Sequence, residues 1–333
     1  MTDGMRMSAL PLAGAIVYPG LIYSAQQALN SYHESGSYLP AAYVLLAMLL
    51  ALSVPALALR ALLLSRDDER CVQARAVLYL LFAVPSLFTL SYSITRMAGV
   101  NQHLGAIWIS MWIALGVIFY FREKQGPRPA SPLDIKWLRV VHGVTALLVL
   151  TGFLLAHLIN HDLAAWSVHL HIEAMQALRR WYRSASVEPV LIVLLVVLLG
   201  TGVAMVLHHA RRRMDAFRVI QTATGVYVAA FLCSHVFATL RARSGGIDTD
   251  WFFAAGPTSL LQGAGLTDRL IPHYFIGPLA LIVHVACGLR IVLLQHGVSD
   301  LAGRRVVYGL AAAGLLVTGI SSAALLGFHL RSS

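Results

Sequence analysis

Charged residues are scarce in this sequence. Only 12% of its 333 residues are Asp, Glu, Lys or Arg, whereas 58% are hydrophobic. A soluble protein of this length does not bury so much apolar surface. The composition therefore excludes a soluble protein and predicts an integral membrane protein. The apolar runs are continuous rather than alternating. This pattern excludes a transmembrane β-barrel and predicts an all-α helical bundle.

Cysteine is also scarce. The three cysteines are Cys71, Cys233 and Cys287, and neither a CxxC motif nor a Cys/His spacing typical of zinc or iron–sulfur sites is present. Basic residues outnumber acidic ones by 25 to 15, but they lie in short loops on one side of the predicted spans. The positive-inside rule explains this bias, so no nucleic-acid partner is predicted and these loops are assigned to the cytoplasm.

Eight or nine apolar runs are long enough to cross a membrane. The first, from Ser8 to Asn30, contains Pro19 and is open to three interpretations: a short span, an interfacial helix or a signal-like segment. Pro85 predicts a kink in the third run. The remaining predicted spans are 40–64, 76–97, 104–121, 138–161, 187–209, 217–240, 271–295 and 306–328.

A Pro-rich basic segment, Arg122 to Lys136, is the clearest internal boundary. It separates an N-terminal membrane region of three or four helices (1–130), to which we assign no role, from a five-helix region (131–333). An amphipathic stretch from Trp166 to Tyr182 is expected to lie along the outer membrane surface. The aromatic run 251–253 is a candidate interface anchor.

Two spans carry a histidine at the same depth. Counted from the cytoplasmic helix ends at about 1.5 Å per residue, His157 and His235 both lie on the order of 28 Å up, and His284 lies roughly 15–20 Å up. A single imidazole in a span is as readily a packing residue or a proton relay. Two at one level on two helices predict a haem held between them, with His157 and His235 as ligands of its iron.

Other histidines are weaker candidates. His142 lies near the cytoplasmic end of its span, where it is partly open to water. His169 and His171 form an HLH motif in an outer loop. This motif lacks carboxylate or thiolate partners at close spacing, so no metal site is predicted there.

An ordered set of motifs runs through the second half of the chain. It comprises His142-Gly143, HLIN at 157–160, Glu188 at the start of the next helix, QTATG at 221–225 and YFIGPLALIVHVACGL at 274–289. Over about residues 138–327 this set resembles the five-helix, di-haem cytochrome b membrane subunit of succinate dehydrogenases and fumarate reductases. The resemblance implies a haem-binding bundle made of the last five helices.

The resemblance also implies the ligand positions. The first and third helices of the five would bind an outer haem through His157 and His235. The second and fourth would bind an inner haem, and the fourth-helix ligand is present as His284. The second-helix position falls near Leu198 and Leu199, and the sequence shows no replacement. The expectation is one haem b, with two possible if His284 retains one.

Further residues follow from the proposed haem and its partner. Haem propionates need cations, and Arg241 and Arg243 lie just beyond His235 in the sequence. Quinone chemistry needs a carboxylate that exchanges protons, for which Glu188 and Glu173 are candidates. The alternative for both acidic residues is an ordinary interfacial position facing water.

The expected function is that of a membrane cytochrome b that passes electrons between haem and quinone. The resemblance implies a bacterial-type inner membrane and a non-catalytic anchor subunit, with flavoprotein and iron–sulfur subunits docked on its cytoplasmic face. One alternative is a haem- or quinone-sensing anchor or scaffold without respiratory turnover. A transporter is a third possibility, disfavoured because the span interiors are almost free of charge and no inverted repeat is visible.

Overall fold

The computed structural model describes residues 3–66, 72–124, 135–210, 212, 214–262 and 266–331. Helices and the loops between them make up these residues, without any strand. The helices are α1 (Asp3–Ser35), α2 (Tyr38–Leu64), α3 (Val72–Phe82), α4 (Val84–Met97), α5 (Leu104–Lys124), α6 (Lys136–Val149), α7 (Leu155–Trp166), α8 (Val168–Tyr182), α9 (Val187–His209), α10 (Ala216–Ser244), α11 (Trp251–Ala255), α12 (Leu270–Gln295) and α13 (Asp300–Leu325).

Within the described ranges, eight helices are long and apolar enough to cross a membrane, or nine if α3 and α4 form one bent span. The chain is therefore a multi-pass membrane protein, as predicted. The ambiguous first run is part of α1, a 33-residue helix of sufficient length to span. The boundary segment 125–134, Cys71, Arg211 and Arg213 lie outside the described residues.

The predicted kink is present at the α3–α4 junction. The two helices meet at Ala83 with a bend of 68°. Pro85 occupies the first turn of α4, where a backbone N–H would have no partner within the helix and proline costs little.

The N-terminal region packs around aromatic side chains. Tyr18, Phe88, Trp108 and Trp112 form a chain of edge-on contacts with ring centres 5.2 to 5.6 Å apart. The indole Nε1 of Trp108 donates a hydrogen bond to the carbonyl of Ala15 at 2.7 Å, which satisfies its polar atom in this interior. These aromatic contacts thus join α1, α4 and α5.

The second region is more open. Helices α6 and α7 form one rod joined by a π-helical turn, Leu150–Leu154. Helix α9 packs on α6, and α10 packs on α12, which packs on α13. A large cavity separates the α6/α9 wall from the α10/α12 wall. The outer end is closed where α7 packs on α8 and α13.

The two regions share one hydrophobic core. Phe82, Phe88, Tyr227 and Ala280 belong to a single cluster of buried residues, although they come from α3, α4, α10 and α12. Helices α10 and α12 therefore pack against the N-terminal region on the side away from the cavity. Helices α6 and α9 contribute no residue to this cluster.

A buried arginine joins the regions at the end of the bundle for which the sequence predicts a cytoplasmic position. Arg75 is fully buried. Its guanidinium donates to the carbonyls of Ser65 at 2.7 Å, Ala210 at 3.3 Å and Arg212 at 3.4 Å. These carbonyls sit at the end of α2 and in the α9–α10 loop, so one side chain ties both loops together and has its own desolvation offset by hydrogen bonds.

We predict that Arg75→Met lowers the stability of the protein by about 2 kcal/mol or more, because it leaves buried carbonyls without donors. Thermal unfolding in detergent would measure the loss. Arg60→Met is the matched control, since Arg60 is exposed on α2. Equal unfolding temperatures for the two variants would contradict the structural role of Arg75.

Candidate functional site

The cavity between the two walls has a volume of about 1410 Å³. Pockets for one small molecule typically measure roughly 300–1,000 Å³, so this space can take more than one large group. Most of its wall is apolar, with Leu150, Leu195, Leu232 and Leu281 among the contributors. Seven histidines line this otherwise apolar space, and four of them form two pairs across it.

The first of these, the outer pair, consists of His157 on α7 and His235 on α10. Their ring centres are 6.0 Å apart and their planes make an angle of 65°. Each ring packs against an aromatic side chain one helical turn earlier in the chain. Phe153 stacks on His157 at 4.9 Å, and Phe231 lies parallel to His235 at 5.8 Å. The structure thus brings together the two residues that the depth count selected.

The inner pair consists of His142 on α6 and His284 on α12. Their ring centres are 6.2 Å apart with an angle of 76° between the planes. The sequence left His284 without a partner, because the position expected on the second helix of the five is leucine. In the structure the partner comes from the first helix instead, which makes His142 a site residue that sequence reasoning missed.

Hydrogen bonds fix the protonation of the inner pair. His284 Nδ1 lies 2.9 Å from the carbonyl oxygen of Gln221, which can only accept, so Nδ1 carries the proton. His142 Nδ1 lies 2.9 Å from the hydroxyl of Thr201, whose own proton is donated to the Val197 carbonyl at 2.7 Å. Both rings are therefore protonated on Nδ1. The Nε2 lone pairs remain available, as in metal-ligating histidines.

Glycines on neighbouring helices make room for the inner rings. A methyl group on Gly225 would lie 2.8 Å from Cε1 and 3.0 Å from Nδ1 of His284, so only glycine fits without displacing the ring. A methyl group on Gly202 would lie 3.6 Å from Cε1 of His142, which is an ordinary van der Waals contact. The glycine of the QTATG motif is thus explained by the close approach of an imidazole.

Both pairs have the spacing expected for two ligands of one iron. Metal–imidazole bonds of about 2 Å on opposite sides of a metal place the ring centres roughly 6 Å apart. The angle between the ring planes is free in such an arrangement. Among the residues that the structure describes, no group of three or more His, Cys, Asp or Glu is placed to hold a bare metal ion. Two imidazoles per site suit a metal whose other ligands come from a macrocycle.

Cationic side chains line both ends of the cavity. The end near His142 has Arg139 and Arg218 in its wall, and the end near His157 has Arg183 and Arg243. Arg183 donates to Thr249 Oγ1 at 2.8 Å, while its Nε is buried without a hydrogen-bond partner in the described part of the chain. These donors suit the two carboxylates that a haem carries at one edge.

Of the four residues predicted to bind haem propionates or quinone, two line the cavity and two do not. Arg243 lines the cavity and makes a two-pronged ion pair with Glu188. Arg241 is exposed and bonds Ser244, away from the cavity. Glu173 is exposed beside His169 on the outer surface, at an N–O distance of 3.7 Å. Only Arg243 and Glu188 of this set adjoin the candidate site.

The Glu188–Arg243 ion pair also lines a second, shallower groove on the lipid side. This groove has a volume of about 530 Å³. Ile192, Val193 and Leu240 form its apolar wall, and Ser184 adds a hydroxyl at its outer edge. The ion pair therefore separates the internal cavity from a recess that a lipid-soluble molecule can enter.

Further imidazoles extend from the outer pair toward the surface. His161 lies edge-on to His157 at 4.7 Å, and His171 on α8 lies 5.4 Å from His161. His171 Nδ1 donates to the Asn160 carbonyl at 2.7 Å. Burial lowers the pKa of His171 from its ordinary value, so the ring is neutral near pH 7. The HLH motif thus contributes one packed histidine and one exposed histidine.

Comparisons of the chain with known protein families, with curated proteins and with solved structures give no match. The family resemblance drawn from the motifs therefore remains a hypothesis.

We predict opposite effects of two glycine substitutions. Gly200→Ala, on α9 with no atom within 4 Å of the added methyl, should stabilise the helix by up to about 1 kcal/mol. Gly225→Ala should destabilise the protein, because the methyl displaces His284 from its bond to Gln221. Thermal unfolding of both variants in the same detergent tests this. Gly225→Ala as stable as Gly200→Ala would contradict the described contact.

Proposed function

We propose that this protein is a membrane cytochrome b that holds two haems and passes electrons across the membrane. The observation that carries the proposal is the presence of two imidazole pairs in one apolar cavity. Each pair has one ring on each wall, with ring centres 6.0 Å apart in the outer pair and 6.2 Å apart in the inner pair. The proposal extends the expectation of one haem, because the inner pair is complete once His142 is included.

A haem with two imidazole ligands has no open coordination position, so it exchanges single electrons and does not activate a small ligand. The remaining roles belong to the chain. The four histidines present imidazoles from opposite walls, and the inner two have Nδ1 engaged with Thr201 and Gln221, which leaves Nε2 to a metal. Arg183 and Arg243 offer positive charge at the outer end. The apolar walls exclude water from the space between.

The two pairs span much of the membrane. His142 and His157 are fifteen residues apart on the α6–α7 rod, or about 22 Å along its axis. The hydrocarbon core is about 30 Å thick. With an outer haem alone, an electron would have to cross most of the hydrocarbon core in one step. A haem at the inner pair would divide this distance into two shorter transfers.

We place the exchange with quinone at the lipid-facing groove beside the outer pair. Its apolar wall suits the ring and tail of a quinone, and the Glu188 carboxylate, held by Arg243, lies where a proton must move with each electron. Soluble donors, such as the flavoprotein and iron–sulfur subunits expected from the resemblance, would dock on the cytoplasmic face near the inner pair.

We predict that the purified protein binds two haems per chain and shows a b-type absorption band after reduction. His142→Ala or His284→Ala should remove one haem, and His157→Ala or His235→Ala should remove the other, because each iron loses one of its two protein ligands. Haem quantification and reduced-minus-oxidised spectra would measure both effects.

His169→Ala is the matched control for these variants, since His169 is exposed on α8 outside the cavity. It should retain two haems. A preparation free of haem would contradict the proposal and favour a scaffold. Two haems retained in His142→Ala and His284→Ala would show that this pair does not hold the second haem. One haem per unmodified chain would restore the single-haem interpretation.

We further predict that Glu188→Gln slows reduction of the bound haem by an added quinol at least tenfold, because the amide cannot accept the proton. Stopped-flow absorbance would follow the reaction. Glu173→Gln, which changes the exposed acidic residue on α8, should react at the rate of the unmodified protein. A normal rate in Glu188→Gln would place the quinone elsewhere.

A further inference from the structure

A serine of the N-terminal region bonds a histidine of the second region. Ser86 on α4 and His273 on α12 are both buried, and Ser86 Oγ lies 3.0 Å from His273 Nδ1. This hydrogen bond joins α4 of the N-terminal region to α12 of the second region. Neither residue lines the large cavity, so the contact is not part of the proposed haem sites themselves.

The bond leads to the outer pair through one aromatic ring. Phe231 on α10 stacks on His273 with ring centres 4.5 Å apart and an angle of 24°. Phe231 is also nearly parallel to His235, with ring centres 5.8 Å apart and an angle of only 7°. Three nearly parallel rings therefore run from the Ser86 hydrogen bond to a proposed iron ligand.

The middle ring is confined on its other sides. A methyl group on Gly277 would lie only 2.3 Å from Phe231, so the ring rests directly on the α12 backbone. The Tyr227 hydroxyl, one turn before Phe231, donates to the backbone carbonyls of Pro272 and His273, each at 3.4 Å. Phe82 of α3 packs edge-on to Tyr227 at 5.8 Å. The N-terminal region thus contacts one end of the stack, at His273 through Ser86, and α10 one turn before Phe231, at Tyr227 through Phe82.

We infer that the N-terminal region sets the orientation of the outer haem ligand, with Ser86, His273 and Phe231 as positioning residues for His235. This gives α3 and α4 a role in the redox properties of a site to which they contribute no ligand. The inference rests on the proposed function. The orientation and surroundings of an axial imidazole tune the potential and the ferric spectrum of its haem.

The test uses the full chain with both haems bound. Ser86→Ala should change the reduction equilibrium of the outer haem at least threefold, about 28 mV for one electron, and alter its low-spin EPR signal. The inner haem in the same sample is the internal reference and should not change. Ser93→Ala is the matched control, because Ser93, also on α4, bonds only within its helix, to the Thr89 carbonyl at 3.1 Å.

Phe231→Leu provides the second variant, since it removes the middle ring and leaves Ser86 and His273 in place. It should move the same outer signal and spare the inner one. Unchanged outer signals in either variant, or equal shifts of both haems, would overturn the inference while leaving the proposed function standing. If Ser86→Ala does not accumulate, Phe231→Leu decides. A haem-free unmodified protein would overturn both proposals together.

Discussion

An imidazole inside a membrane has to satisfy its polar atoms without water, and this constraint organises the second half of the chain. The inner histidines meet it on one side only, through the Gln221 carbonyl and the Thr201 hydroxyl. Among the residues that the structure describes, no hydrogen bond to either Nε2 is present. The surrounding features follow from the same constraint: a glycine against each inner ring, apolar walls, and cations at the cavity ends.

One continuous rod supplies a histidine to each pair. In a straight α-helix the fifteen residues from His142 to His157 leave the two side chains about 60° apart around the axis. The π-turn at Leu150–Leu154 lies between them and is wound less tightly, because its hydrogen bonds reach one residue further. It removes part of the excess rotation, which helps both rings to face the same cavity.

Composition and apolar run length predicted the helical bundle, the number of spans and the Pro85 kink, because these depend on local physics. Matched depth also selected His157 and His235. The inner pair was missed because counting from helix ends assumes that every helix starts in one plane. His142 lies six residues from its helix start and His284 eleven from its helix end, yet they meet. The exposure of Arg241 depends on helix rotation, and the Ser86–His273 contact joins residues 187 apart in the chain.

The two walls of the cavity are supported unequally. Helices α10 and α12 share a core with the N-terminal region, whereas His208 is the only fully buried residue of α9, whose Val193 and Val196 face outward. Each histidine pair joins one wall to the other. Under the proposed function, ligand bonds to each iron would cross-link a supported wall to a lipid-backed one, so that cofactor binding and closure of the bundle are coupled. The N-terminal helices then serve as the fixed side of this closure, which is why a region without a ligand can still determine the geometry of the outer site.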